Sequence, residues 1–411
     1  MTAKPTQPSR GRLIGFLALM VLVGLNLRPA LSSLSPLLNR IQADTGLSPL
    51  GIGALTTLPV LCLGLFAPLA PWLAKRLGPE RALSLALLLL AGALLLRANS
   101  LTPLLFLGTL GVGAAIGIAG SLLPALVKRE LPKGADLMTG VYTMALCLGG
   151  ALGAGLGIPL ADWLGDWHLS LASWTLLAVA ALVAWRLGMP HPKPPAPGSL
   201  PKAPRVRLWR HGLAWQVTAL MGSQSSLAYI VFGWLPVLLQ RRGLSEGEAG
   251  WLLAGSVMVQ LISALGAPWL ARLHRDQRPA MLVVLGLTTA GFVMLLQAPL
   301  SQRWLGAILL GLGQGGAFSL ALTMIVLRSG DSRLAGKLSG MAQGFGYTLA
   351  AMGPLVIGLL LQLGAGLTTV TAVLVGIAGF AAVFACLAGR NRRLEFDAEG
   401  TVITRRYERR R

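Results

Sequence analysis

The chain has 411 residues, 54% of them hydrophobic and only 12% charged, with a mean hydropathy of +0.69. A soluble domain carries about twice that charged fraction, which excludes a water-soluble globular protein, and the short alternating segments of a β-barrel are not visible. The net charge of +21 invites a nucleic-acid partner, but the placement of the charges, taken below, points to a membrane instead.

Apolar runs of about 18 to 26 residues are long enough to cross roughly 30 Å of hydrocarbon as helices. Twelve are expected, at 13–38, 49–73, 81–98, 102–127, 137–161, 169–187, 212–239, 247–271, 279–298, 303–327, 337–361 and 367–388. The first follows a basic start (Lys4, Arg10, Arg12) as a signal peptide would, yet its apolar stretch continues past Arg28, so it reads as a retained helix. Its centre reads "VGLNLRPALSSLSP", Val23 to Pro36. A cation there costs about 2.5–3.5 kcal/mol on insertion scales. All fourteen acidic residues fall in loops, at helix ends or in the tail, so no intramembrane carboxylate is available to Arg28. Pro29 disrupts the helical bond to Leu25, and a broken helix at that depth is tolerated where it lines a cavity. Two fates are open to Arg28. It faces a central cavity and attracts a small anion or electron-rich solute, for which a planar five-donor fork is suited, or it snorkels or is held by main-chain carbonyls.

The other polar groups within spans are uncharged. Ser32 and Ser35 follow Arg28 on one helix face, whereas Asn26 lies about 160° away and turns inward only through the Pro29 distortion. The fifth span adds Tyr142, the seventh Gln224, Ser225 and Tyr229, the tenth Gln314, and the eleventh Gln343 and Tyr347. Each is a candidate substrate ligand, or a helix-to-helix bond worth about 0.6 kcal/mol. Gly149, Gly153 and Gly157 repeat every four residues, as do Gly340 and Gly344, a spacing expected to give smooth packing stripes that also serve motion. Cys62, Cys147 and Cys386 sit in apolar runs as small buried hydrophobes, with no metal or disulfide framework indicated.

Between the sixth and seventh spans, residues 188–211 form a basic, proline-rich linker. The expected organisation is therefore a short N-terminus (1–12), a six-helix bundle (13–187), this linker, a second bundle (212–388) and a basic tail (389–411). The halves resemble each other: "APWLA" at Ala70–Ala74 recurs at Ala267–Ala271, and Gly111, Gly113, Lys128, Gly140 and Gly153 align with Gly311, Gly313, Arg328, Gly340 and Gly353. Lys and Arg gather in alternate inter-helix segments, and the opposite side holds only Arg40, Arg97, Arg241, Arg242 and Arg303. That asymmetry orients the basic loops and both termini toward the cytoplasm. The closing "RRYERRR" is expected as a solvated end, or as a contact for anionic lipid headgroups.

Duplicated six-helix halves joined by a cytoplasmic loop resemble the major facilitator superfamily, which implies an all-α membrane protein of two pseudo-symmetric bundles with substrate bound near the midplane between them. "PWLAKRLGPERAL" (Pro71 to Leu83) resembles that superfamily's loop 2–3 signature, with Lys75 where an Asp is usual. "GLNLRPALSSLSPLL", "SLLPALVKRELP", "LMTGVYTMALCLGGALG", "GSQSSLAYIVFGWLPVLLQ" and "LSGMAQGFGYTLAAMGPLVIGLL" are similar to the cyanate/2-nitroimidazole (CynX/NimT) transporter family. The resemblance implies secondary transport of a small solute across the bacterial inner membrane, by a cavity that helices one, seven, ten and eleven bound.

Rival functions find less support. "GDSRLAGKLS" (Gly330 to Ser339) lacks the spacing of a phosphate loop, and His168, His191, His211 and His274 are scattered without a catalytic motif. The expectation is a monomeric, non-enzymatic carrier with a small-molecule substrate and a lipid surround, using no cofactor, ATP or nucleic acid. A multidrug-type efflux carrier with a structural Arg28, or a transporter-like sensor or channel, is the alternative.

Overall fold

The computed structural model describes residues 10–130, 135–189, 208–272, 276–330, 332–397 and 401–406. Most of the linker and the extreme N-terminus lie outside these residues. Among them twelve helices are long and apolar enough to cross a membrane.

The first span is broken where its sequence places proline. Helix α1 (Arg10–Leu27) stops at Arg28, α2 (Pro29–Ser32) makes one turn, a 3-10 turn covers Ser35–Leu37, and α3 (Leu38–Thr45) runs to Gly46 in the left-handed region at φ 67°. Pro29 has no N–H to close on Leu25, and Pro36 sits in the 3-10 turn. The second span, α4 (Pro49–Phe66) and α5 (Leu69–Leu77), starts from Ser48, whose Oγ accepts from Gly51 N–H at 3.1 Å. The first half continues with α6 (Pro79–Arg97), α7 (Thr102–Glu130), α8 (Ala135–Leu164) and α9 (Trp167–Gly188).

The second half comprises α10 (Gly212–Gln240), α11 (Glu246–Arg272), α12 (Arg278–Gln297), α13 (Arg303–Leu327), α14 (Ser332–Ala350), α15 (Met352–Gln362) and α16 (Leu367–Ala388). A reciprocal cap opens α11: Ser245 N–H donates to Glu248 Oε2 at 3.2 Å, and Glu248 N–H donates to Ser245 Oγ at 3.2 Å.

Glycines set how closely helices approach. In the first half a Cβ on Gly113 would lie 2.6 Å from Pro59 Cα of α4, and one on Gly111 2.8 Å from Ala93 of α6. In the second half a Cβ on Gly311 would lie 2.3 Å from Ser256 O of α11, and one on Gly313 2.3 Å from Thr288 N of α12. The aligned glycines thus do the same two jobs in each half, in swapped order.

The two halves meet along α8 against α11 and along α4 against α14 and α15. Gly53 and Gly358 face each other there, and Trp251 packs on Gly155. At the end remote from the basic loops the seam is latched. Arg40 pairs with Asp162 of its own half at 2.8 Å and with Glu246 of the other half at 2.8 Å. Asn39 donates to Gln240 and Leu50 N–H donates to Gln362 Oε1, both across the seam.

Part of the basic tail is folded. Arg392–Phe396 (β1) and Val402–Arg406 (β2) form an antiparallel hairpin, whereas 407–411 lie outside the described residues. Leu394, Phe396 and Val402 give the hairpin an apolar face, and Leu394 is fully buried in the second bundle. Gly330 N–H donates to Leu394 O at 2.7 Å, and Leu394 N–H to Arg328 O at 2.8 Å. Arg328, counted from sequence as a loop cation, is buried and caps α16 through Ala388 O at 2.7 Å and Gly389 O at 3.0 Å.

Candidate functional site at the break in the first span

Arg28 lies at the discontinuity between α1 and α2, on the seam between halves. It is roughly 18 Å along the chain's helical rise from Arg40 in the latch. Its guanidinium carbon sits 5.1 Å from the centroid of Phe232, a residue of α10 in the other half. Among the described residues no carboxylate or carbonyl takes a hydrogen bond from its side chain. The Leu25 carbonyl released by Pro29 does not serve it, because that oxygen is packed onto Gly149, 2.4 Å from where a Cβ would stand. The cation is therefore held by an aromatic face and retains part of its surface exposed.

Small residues admit it to this place. A Cβ on Gly150 of α8 would lie 3.4 Å from Arg28 Cβ and 3.4 Å from Val257 Cγ1 of α11. Gly149 and Gly153 press on Pro29, and Ser32 Oγ donates to Gly150 O at 2.7 Å, tying the broken stretch to α8. Cys147 and Tyr229 lie within electrostatic reach of Arg28. Tyr229 in turn meets Tyr347 of α14 edge-on, with centroids 6.0 Å apart. On the latch side, Ser35, Thr56, Tyr229 and Phe232 line a small cavity of about 20 Å³, room for about one water.

Of the sequence candidates, Arg28, Tyr229 and Tyr347 are brought together around this seam. Asn26, Gln224, Ser225 and Gln343 are bonded locally. Asn26 Nδ2 donates to Leu22 O of its own helix at 2.7 Å. Gln224 donates to Ser225 Oγ at 2.7 Å, and Gln343 to Ser339 Oγ at 2.7 Å. Gln314 accepts from Gln260 of α11 at 3.5 Å while its own Nε2 is buried without a partner. The Tyr142 side chain lies outside the described residues. The glycine stripes divide. Gly149, Gly153 and Gly157 contact the first span as the spacing suggests, but a Cβ on Gly340 or Gly344 would meet nothing within 4 Å. That second pair approaches its neighbours differently: the Gly344 carbonyl lies 2.7 Å from where a Cβ on Gly64 of α4 would stand, and Gly346 of α14 lies near Gly222 of α10.

Residues missed from sequence are Phe232, Gly150 and Arg97. Phe232 follows Tyr229 by three positions, so one helix face carries both. Gly150 sits beside the Gly149 stripe. Arg97, counted as a loop charge, is completely buried and donates to the Ala30 carbonyl.

A family model described as Major Facilitator Superfamily matches residues 14–354. An uncharacterized transporter YycB of Bacillus subtilis (strain 168) is 36% identical over 83% of this chain and 85% of its own length. The 2-nitroimidazole transporter of Escherichia coli (strain K12) is 34% identical over 87% of this chain and 91% of its own. The cyanate transport protein CynX of the same organism is 34% identical over 84% and 89%. The crystal structure of a D-xylose–proton symporter superposes with a TM-score of 0.73 at 14% identity, covering 92% of this chain and 97% of that one.

Proposed function

Because the chain belongs to the Major Facilitator Superfamily and is a multi-pass secondary carrier, we propose that it moves a small anion or a nitro-bearing aromatic by alternating access, with Arg28 as the central binding residue. The relatives named for cyanate and 2-nitroimidazole support this substrate range. Both solutes present electron-rich, planar ends that a guanidinium fork can grip with parallel N–H donors. The observation that carries the reading is the lone Arg28 on the seam, stacked on Phe232 and without a carboxylate among the described residues.

On this reading the basic loops and both termini lie in the cytoplasm of a bacterial cell. The Arg40 latch then closes the outer end, and Arg28 awaits solute from within. Neither nucleotide nor a partner subunit enters the cycle. Tyr229, Tyr347 and Phe232 supply aromatic walls, which suits a flat solute better than a bulky polyol.

The test is ligand-induced thermal stabilisation of the purified protein with cyanate, benzoate and 2-nitroimidazole, run on wild type, Arg28→Ala and Arg28→Lys. Wild type is stabilised, Ala is not, and Lys recovers part, since an ammonium is a point charge without the planar fork. Equal stabilisation of all three proteins removes Arg28 from the site.

A further inference from the structure

We propose that this carrier is an obligate anion exchanger: it reorients only with an anion on Arg28, and so swaps one anion for another instead of releasing a net flux. The inference rests on the proposed role of Arg28 as the binding residue, and extends it from what binds to which cycle is allowed.

Three observations carry it. Arg28 belongs to one half and stacks on Phe232 of the other, so it sits on the surface along which the halves must rock. Its neighbours across that surface include Phe232 and Tyr229, neither of which carries a counter-charge, and no carboxylate among the described residues takes a bond from it. The far end is already latched by Arg40 and Glu246. To alternate, the protein must pass through a state sealed at both ends, and in that state an empty site buries a cation among walls that hold no counter-charge.

The insertion cost of such a charge corresponds to roughly a 100-fold penalty on reaching the occluded state. A bound monoanion removes it by ion pairing in the same low-dielectric setting, so loaded reorientation is fast and empty return is slow. The loaded site is also formally neutral. Exchange of one monoanion for another is then insensitive to membrane potential, which removes the electrical barrier that net anion entry into an inside-negative cell would face.

Two experiments test it. In the first, spin labels at Ala43→Cys and Arg241→Cys, exposed at the far end on opposite halves, report latch distance with Cys62, Cys147 and Cys386 replaced by Ser. In gluconate buffer the otherwise wild-type protein shows the closed distance alone. Arg28→Met, or Arg28→Gln if Met fails to fold, shows an additional long distance without any small anion, and Arg28→Lys stays closed. Equal open populations in Arg28 and Arg28→Met proteins overturn the proposal. In the second, proteoliposomes of wild type loaded with labelled cyanate release it roughly 100-fold faster into cyanate than into gluconate. Equal release overturns exchange while leaving the binding role intact. No cyanate movement in either medium, together with an unlocked Arg28→Met, overturns cyanate as substrate and leaves the gating role of the charge standing.

Discussion

Arg97, at the end of the third span, donates through Nη1 to the carbonyl oxygen of Ala30, two residues beyond Arg28. One buried cation thus holds the broken stretch that presents another. The Arg97 Nε and Nη2 groups are buried without partners, so the residue is expensive to keep and has one bond to show for it. Replacing an under-partnered buried cation by an apolar side chain of similar length is close to neutral for stability. The expected effect of Arg97→Met is a change of about 1 kcal/mol or less in unfolding free energy, but about tenfold weaker ligand binding at Arg28. Arg97→Lys restores most of the affinity. A thermal melt with and without cyanate separates the two effects, and a large loss of stability with unchanged ligand response contradicts the positioning role.

Gly153 and Gly340 differ in what surrounds them. A Cβ on Gly153 would stand 2.4 Å from Ser32 Oγ and 2.7 Å from Pro29 Cα, both parts of the broken first span. Gly153→Ala should therefore destabilise by about 1–3 kcal/mol through overpacking. A Cβ on Gly340 would meet nothing within 4 Å, so Gly340→Ala should stabilise, by up to about 1 kcal/mol of helix propensity. Unfolding temperatures of the two purified variants decide the matter, and similar shifts of the same sign argue against the packing described.

The spans and the break at Arg28 were legible in the sequence because each rests on local chemistry: run length for the spans, and the missing proline N–H for the break. What was not legible depends on neighbours. The Gly149/Gly153 and Gly340/Gly344 spacings are identical on paper, yet a Cβ would collide with the first span at Gly149 and Gly153 and would meet nothing within 4 Å at Gly340 or Gly344. Arg97 reads as a loop charge because it ends a span, and only the approach of Ala30 reveals it as buried. The latch joins Arg40 to Glu246, 206 positions apart, a pairing that no periodicity announces. The hairpin tail was hidden by its arginines, since Leu394, Phe396 and Val402 are few among many charges.

Asp166 provides a pH-dependent term outside the spans. Burial pushes its carboxyl up, but hydrogen bonds from the His168 side chain and backbone N–H outweigh that and hold it below the ordinary aspartate range. A carboxyl depressed in the folded state stabilises the fold above its unfolded value of about 3.9, and that contribution is lost as pH falls through the folded value. Thermal stability should therefore decline on acidification below about pH 4, and Asp166→Asn should flatten that part of the profile. Identical slopes in the two proteins would assign the decline to other groups.

The Arg40 latch makes a prediction of a different kind, because its two ion pairs are unequal in consequence. Asp162 belongs to the same half as Arg40 and is 60% exposed, whereas Glu246 lies across the seam and is 29% exposed. Only the second pair is broken when the halves part. Half-exposed ion pairs contribute up to about 1 kcal/mol, which is roughly a fivefold change in the open fraction. Thr56 lines the small cavity behind the latch, so Thr56→Cys, in a background with Cys62, Cys147 and Cys386 replaced by Ser, reports opening through its rate of modification by a membrane-impermeant maleimide. Glu246→Gln should raise that rate about fivefold, and Asp162→Asn should change it little. Added salt should accelerate labelling in the parent through screening but have little effect once Glu246 is neutral. A parent rate that salt and Glu246→Gln both leave unchanged would mean that the apolar contacts of α8 with α11 close the seam without help from charge.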